Sequence, residues 1–208
     1  MIGAARAVRA ALLLGAAWGL AGCASLFSSK APAPSLYLLS AHPGTLGPEI
    51  TADLGILKPQ VRSGLDTDRI AVLYADRRLD YFAAARWSAR LDDVVQDLAV
   101  QSFRVRANLH SVSSDASAFS AGYWLEIEVT DFQAEYAAGD SIPTIRVHFS
   151  AMLGKSSDRR ILDRFEASAT QRASENRLSA IVSAYEQAAN AALSEIVADT
   201  SHVLETNR

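Results

Sequence analysis

The sequence predicts an α+β domain: one mainly antiparallel sheet with two long helices packed on one face. Two stretches, near residues 86–102 and 177–204, repeat apolar residues at helical spacing, whereas the segments before and between them alternate at the period of strands. Those strand segments are joined by short polar turns, which favour antiparallel neighbours. A sheet with one apolar face needs the two amphipathic helices to cover it. No internal repeat and no second domain is visible.

The chain opens with a segment of a different kind. Arg6 and Arg9 precede an uncharged apolar run from Ala10 to Leu20, and Leu20-Ala21-Gly22-Cys23 follows. A positive region, a short apolar region and small residues before a cysteine form the pattern at which bacteria cut an export signal and attach lipid. The run is too short to span a bilayer, which takes roughly 20 apolar residues. Residues 1–22 are therefore expected to be a lipoprotein signal peptide, with Cys23 the lipidation site. Residues 23–34 form a tether rich in small residues and proline, and 35–208 a single periplasmic domain. Ala24, where an Asp would favour inner-membrane retention in enteric bacteria, points to the outer membrane, with the domain facing the periplasm.

Within the domain, Leu36 to Leu39 read as a first strand closed by His42-Pro43-Gly44. Leu54 to Leu57 read as a second, stopped by Pro59. Arg69 to Tyr74 make a third, with Arg78 to Phe82 returning across Asp76-Arg77. From Arg86 the period changes. Trp87, Leu91, Val94, Val95, Leu98 and Ser102 share one side of a helix of about five turns. Val105 and Leu109 are read as continuing into a further short strand, and residues 110–121 as a Ser- and Ala-rich loop.

Tyr123, Leu125, Ile127 and Val129 alternate with Trp124, Glu126, Glu128 and Thr130, a half-buried strand. Phe132 then takes the parity of Glu128, so a bulge is expected near Asp131. Ile145, Val147, Phe149, Ala151 and Leu153 form an inward row. Lys155 to Arg159 turn, and Ile161 to Thr170 return with Phe165 and Ala167 inward. The last element is a helix from about Arg177 to Leu204. Its stripe includes Ile181, Tyr185, Ala189, Leu193 and Ile196, with Gln187, Asn190 and Ser194 opposite.

The composition excludes several classes of function. The part from Cys23 onward has eighteen basic and 23 acidic residues, a formal charge of −5. An acidic chain without a basic stripe is a poor partner for nucleic acid. Cys23 is the sole cysteine, so once acylated it leaves no thiol for a disulfide, a metal or a nucleophile. His42, His110, His148 and His202 lie at no metal-ligand spacing, and no phosphate loop, nucleophile elbow or dinucleotide fingerprint occurs. Glu126 and Glu128 point the same way on a strand, which suits a solvated face as well as acid–base work. No catalytic residue, cofactor or metal site is predicted.

Tyr81, Phe82 and Trp87 gather three aromatics at the start of the first helix. Trp87 is in phase with Leu91 and Val94 and is expected to be buried; Tyr81 and Phe82 are candidates for a surface gripped by a partner or by lipid. Three stretches around and beyond them are distinctive: Leu65-Asp66-Thr67-Asp68-Arg69-Ile70, then Ala85-Arg86-Trp87-Ser88-Ala89-Arg90-Leu91, and Asp131-Phe132-Gln133-Ala134-Glu135-Tyr136. With Leu36-Tyr37-Leu38-Leu39 they resemble the ABC-type transport auxiliary lipoproteins, the PqiC-like family, over essentially the whole mature chain. Ser88 and Arg90 depart from the smaller or acidic residues often found there. The resemblance implies an outer-membrane-anchored accessory of an ABC/MCE-type phospholipid transport system, with an MCE-domain protein as partner and no catalysis of its own. It leaves a homo-oligomer open. The competing readings are an assembly or plug lipoprotein of another envelope machine, and an envelope hydrolase.

If Cys23 carries the anchor, Cys23→Ser abolishes palmitate labelling and moves the protein to the soluble envelope fraction without unfolding it. A Ser variant that stays labelled and membrane-bound would show the lipobox reading to be wrong.

Overall fold

The computed structural model describes residues 33–114 and 121–207. The signal segment, Cys23 and nearly all of the tether lie outside these residues, as does half of the loop expected over 110–121. A compact unit begins at Pro34.

Its spine is β7 (Tyr123–Tyr136), a strand of 14 residues. On one edge it pairs antiparallel with β8 (Thr144–Lys155), and β8 pairs antiparallel with β9 (Ile161–Arg172). The other edge of β7 is served in succession by three parallel segments. They are β2 (Glu49–Ile56), the two-residue β3 (Gln60–Val61) and β4 (Arg69–Tyr74). Beyond them, β6 (Asn108–Ser113) runs parallel to β2, β5 (Leu79–Trp87) antiparallel to β4, and β1 (Ser35–Tyr37) parallel to β5. The sheet is thus mixed, and the long β7-β8-β9 meander makes it mostly antiparallel.

The expected bulge is present. Register shifts between Val129 and Asp131, leaving Thr130 as the extra residue, and its hydroxyl donates to the His148 carbonyl at 3.3 Å. Leu125, Ile127 and Val129 are buried before the shift, and Phe132 and Ala134 after it. One face of β7 therefore stays on the core along its whole length. On β8 the inward row Ile145, Val147, Phe149, Ala151 and Leu153 is buried throughout.

Two helices cover that face. α1 (Leu91–Arg106) lies over β6 and β2, α2 (Leu178–Thr206) lies over β8 and β9, and the helices touch. Asp92 and Asp93 in the first turn of α1, with Arg104 and Arg106 in its last, oppose the helix dipole. Buried Ala184, Ala188, Ala189 and Ala192 let α2 approach the sheet closely. Tyr185 fixes its position: its ring meets Trp87 at 5.2 Å and Phe132 at 5.2 Å, and its hydroxyl donates to the Ala71 carbonyl at 2.7 Å. Burial raises the Tyr185 hydroxyl well above the usual phenol value, so it stays a donor.

Several element boundaries differ from the sequence reading. The first helix begins at Leu91, not Arg86, and spans 16 residues to Arg106, so Val105 is helical and only Leu109 of that pair is strand. Residues 85–87 are instead the end of β5, where Arg86 and Trp87 pair with Leu36 and Tyr37. Helical phase at Trp87 was coincidental, although its burial, 2 % exposed, is as expected. The second strand starts earlier, at Glu49, and the first four residues of the supposed loop, 110–113, belong instead to β6, recruited by the free edge of β2. Asn190 is also misplaced by periodicity. It is 2 % exposed because the chain at residues 40–42 crosses the helices there. His42 N–H donates to Asn190 Oδ1 at 2.7 Å, Asn190 Nδ2 donates to Ser40 O at 2.9 Å, and Ser40 N–H donates to Glu186 Oε2 at 3.0 Å.

Phe149→Ala and Ile196→Ala remove fully buried side chains and are each expected to cost about 2–5 kcal/mol. His148→Ala, on the opposite face of the same strand, is expected to change stability by less than about 0.5 kcal/mol. Urea titration distinguishes the three variants; equal losses at Phe149 and His148 would contradict the assigned strand faces.

Candidate functional site

The two distinctive segments around Asp68 and Trp87 clasp each other. Arg86 Nη1 donates to both carboxylate oxygens of Asp68, at 2.8 and 2.7 Å, and its guanidinium holds the Asp68 carboxyl below the usual carboxylate range. Arg90 pairs with Asp66. The main chain joins the clasp. Trp87 N–H donates to Asp68 O at 2.7 Å, and Leu91 N–H donates to Thr67 O at 3.1 Å. A helix start leaves N–H groups without intrahelical acceptors. Here a carbonyl from another loop takes one, and no side chain caps the helix.

The same loop anchors Tyr81. Its hydroxyl donates to the Gly64 carbonyl at 2.8 Å, and the Arg69 guanidinium sits 3.9 Å from its ring centre. Phe82 begins a wide bulge: between the pairs Arg69–Arg86 and Ala71–Tyr81, residues 82–85 of β5 stand opposite Ile70 alone. Tyr81 and Phe82 are both half-buried, and Ala83 and Ala84 are exposed. Tyr81 is therefore held by specific contacts, while Phe82 packs partly against the core.

Next to Gly64, on the face of the sheet away from the helices, a cleft of about 530 Å³ opens. Its floor is the outward row of β7 after the bulge: Asp131, Gln133 and Glu135. Its walls come from Arg62 before β4, from Arg77 at the β4–β5 turn, and from Arg146 on β8. Gln133 is only 5 % exposed. Its Nε2 donates to Asp131 Oδ1 at 3.1 Å and to Glu135 Oε1 at 3.0 Å, while its Oε1 accepts from Phe132 N–H at 2.8 Å. Arg146 Nε lies 3.0 Å from Glu135, and Arg62 Nη1 lies 3.8 Å from Asp131. A buried amide thus fixes both carboxylates, and two guanidinium groups flank them.

Arg77 has no carboxylate partner among the described residues and sits at φ 68°. The left-handed region is costly for a residue with a Cβ, so the turn holds this side chain where it is at a conformational cost. Three cations against two anions leave the cleft one positive charge in excess. Such a rigid, open, mixed-charge surface suits recognition of polar and acidic groups on a partner.

The other residues considered do not converge on a reactive centre. Glu126 is half-buried and Glu128 exposed, along the same open face as Arg164 and Glu166. His42 lies near Glu186, His110 pairs with Asp53, and His148 with Glu166. Among the described residues, no group of three His, Cys, Asp or Glu side chains could hold a metal ion, and no helix is long and apolar enough to cross a membrane. Sequence reasoning missed the cleft. Its one legible signal was a Gln between two acids at alternate positions, in Asp131-Phe132-Gln133-Ala134-Glu135.

A family model described as "ABC-type transport auxiliary lipoprotein component" matches residues 37–197. No curated protein matches the chain in sequence. Among solved structures, the protein XCC0632 from Xanthomonas campestris, of the DUF330 family, superposes with a TM-score of 0.74 at 24 % identity; the match covers 83 % of this chain and 98 % of that one. The hypothetical protein CT253 from Chlamydia trachomatis superposes with a TM-score of 0.53 at 10 % identity, over 76 % of this chain and 99 % of that one. Both likenesses establish a shared fold.

The clasp makes a pH-dependent contribution whose sign follows from Asp68. Its carboxyl titrates lower in the folded chain than in the unfolded one. The pair therefore stabilises the fold above the unfolded value and loses that contribution as pH falls below about 4, through the lowered folded value. Both side chains are over a third exposed, so Asp68→Asn is expected to cost only about 0.5–1 kcal/mol at pH 7. Urea midpoints at pH 7 and pH 2 test this: the gap between wild type and variant should close at the lower pH.

Proposed function

This chain belongs to the family of ABC-type transport auxiliary lipoprotein components, and from that premise we propose that it is the outer-membrane-anchored docking component of an ABC/MCE-type phospholipid transport system. Cys23 carries the lipid, and the domain faces the periplasm. An MCE-domain protein docks on the open face of the sheet. The carrying observation is that the family match takes in every residue of the cleft and of the clasp beside it, from Arg62 to Arg146. The chain acts by binding; the permease, its ATPase and the partner move the lipid.

In this reading the cleft and its neighbours have distinct roles. Arg77 supplies an unpaired cation that an acidic partner side chain can reach. Asp131 and Glu135, held by Gln133, receive partner cations and reject a wrongly placed acid, which gives register as well as attraction. Tyr81, tied to Gly64 beside the cleft, and its neighbour Phe82 supply apolar contacts from β5, since aromatic anchors contribute disproportionately to association.

Capture of the MCE-domain protein by the full lipidated chain tests the reading. Arg77→Glu and Phe82→Ser are each expected to weaken capture about tenfold or more, corresponding to about 1.4 kcal/mol, while Tm moves by only a few degrees. Arg159→Glu, at the remote turn between β8 and β9, should leave capture unchanged. Capture that is indifferent to both Arg77→Glu and Phe82→Ser removes the docking assignment.

A further inference from the structure

Leu36 and Leu38 are the most exposed large aliphatic side chains among the described residues, at 64 and 71 %. They share one side of β1 and its continuation, while Tyr37 between them is half-buried and Leu39 after them is buried. β1 is an edge strand, paired only with β5. Beside it the β5 bulge adds exposed Ala83 and Ala84, since Ser35 pairs with Ala85 and the chain reaches it alongside them.

The other free edges of the sheet differ. β6 exposes His110 paired with Asp53, and on β9 the one exposed aliphatic, Ile161, is followed by Asp163, Arg164 and Glu166. Charge on an edge strand prevents its association with other apolar surfaces. The β1 edge has no such protection, from Ser35 to Ser40.

We propose that the β1 edge rests on the membrane surface, with Leu36 and Leu38 in the boundary between headgroups and acyl chains. The proposal rests on the reading of Cys23 as the lipid anchor. Leu36 lies thirteen residues beyond that cysteine, within at most about 45 Å of chain, so the patch is held permanently at high effective concentration beside a bilayer. The free backbone groups of β1 bar it from the hydrocarbon interior but can be satisfied by water and headgroups at the boundary. A lipid surface fits this edge better than a second copy. β1 contributes only three residues, too short a ladder for stable pairing between chains. Contact there fixes the domain's orientation and leaves the cleft, on the sheet's open face, free for a partner.

The test uses the full lipidated chain in vesicles of phosphatidylethanolamine and phosphatidylglycerol. Acylation consumes the Cys23 thiol, so Leu36→Cys, Leu38→Cys and, as a control, Ser157→Cys each carry a single environment-sensitive fluorophore. Vesicles with nitroxide-labelled lipid are expected to quench positions 36 and 38 at least threefold more than position 157. Equal, water-like emission at all three positions, from protein that floats with the vesicles, overturns the proposal and leaves the anchor intact. Disulfide-linked pairs of unlabelled Leu38→Cys chains under an added oxidant, together with no lipid quenching of the labelled chains, overturn it in favour of a second copy. Protein that fails to float overturns the anchor reading and the proposal together.

Discussion

A strand of 14 residues that must keep one face on a single core while accepting four neighbours sets the terms for this fold. Antiparallel pairing with β8 runs the length of β7, but its other edge is shared by β2, β3 and β4, which arrive one after another. An unbroken pleat would keep residues of a single parity inward, and Asp131 and Glu135 would face the core in place of Phe132 and Ala134. The extra residue at Thr130 prevents that. It shifts the phase once, turns Phe132 into the aromatic cluster with Trp87 and Tyr185, and turns Asp131, Gln133 and Glu135 outward. Core and cleft are two products of one bulge.

The clasp between Asp66–Asp68 and Arg86–Leu91 solves a second problem. β5 ends and α1 begins within four residues, so a sheet edge and a helix start must be satisfied in the same place. Carbonyls of Thr67 and Asp68 accept the free N–H groups, and two guanidinium–carboxylate pairs fix the angle between the segments. Tyr81, bonded to Gly64 at the mouth of the cleft, links this junction to the binding surface. Of the residues that carry the family resemblance, those around Asp68 and Trp87 hold the junction, and Asp131, Gln133 and Glu135 form the cleft floor.

The fold class, the bulge and the inward row of β8 were legible because each follows from side-chain alternation, which a buried face enforces. The start of α1 was not. Trp87 falls in helical phase with Leu91 and Val94, and only pairing of β5 with β1, distant in sequence, shows it to be strand. The strand at 108–113 was ended too early, at Leu109, for the same reason: the Ser and His residues after it suggest a loop until the edge of β2 is available. Asn190 looked solvent-facing because periodicity cannot register the chain that crosses over it. The cleft gathers Arg62, Arg77 and Arg146 from three separate elements, so no spacing along the chain could announce it.

The bonds from Glu186 and Asn190 to residues 40–42 have a mechanical meaning. A pull on the chain from its N-terminal side meets the three residues of β1 first, because they precede the crossing segment. If that short pairing peels away, five residues from Ser35 are released and the leash lengthens by roughly 17 Å. Peeling then stops at Ser40 and His42, whose backbone is held by side chains of a long helix packed into the core. Beyond that point force is carried by α2 and hence by the whole sheet, so the domain can yield some slack at its tethered end before its binding face is strained.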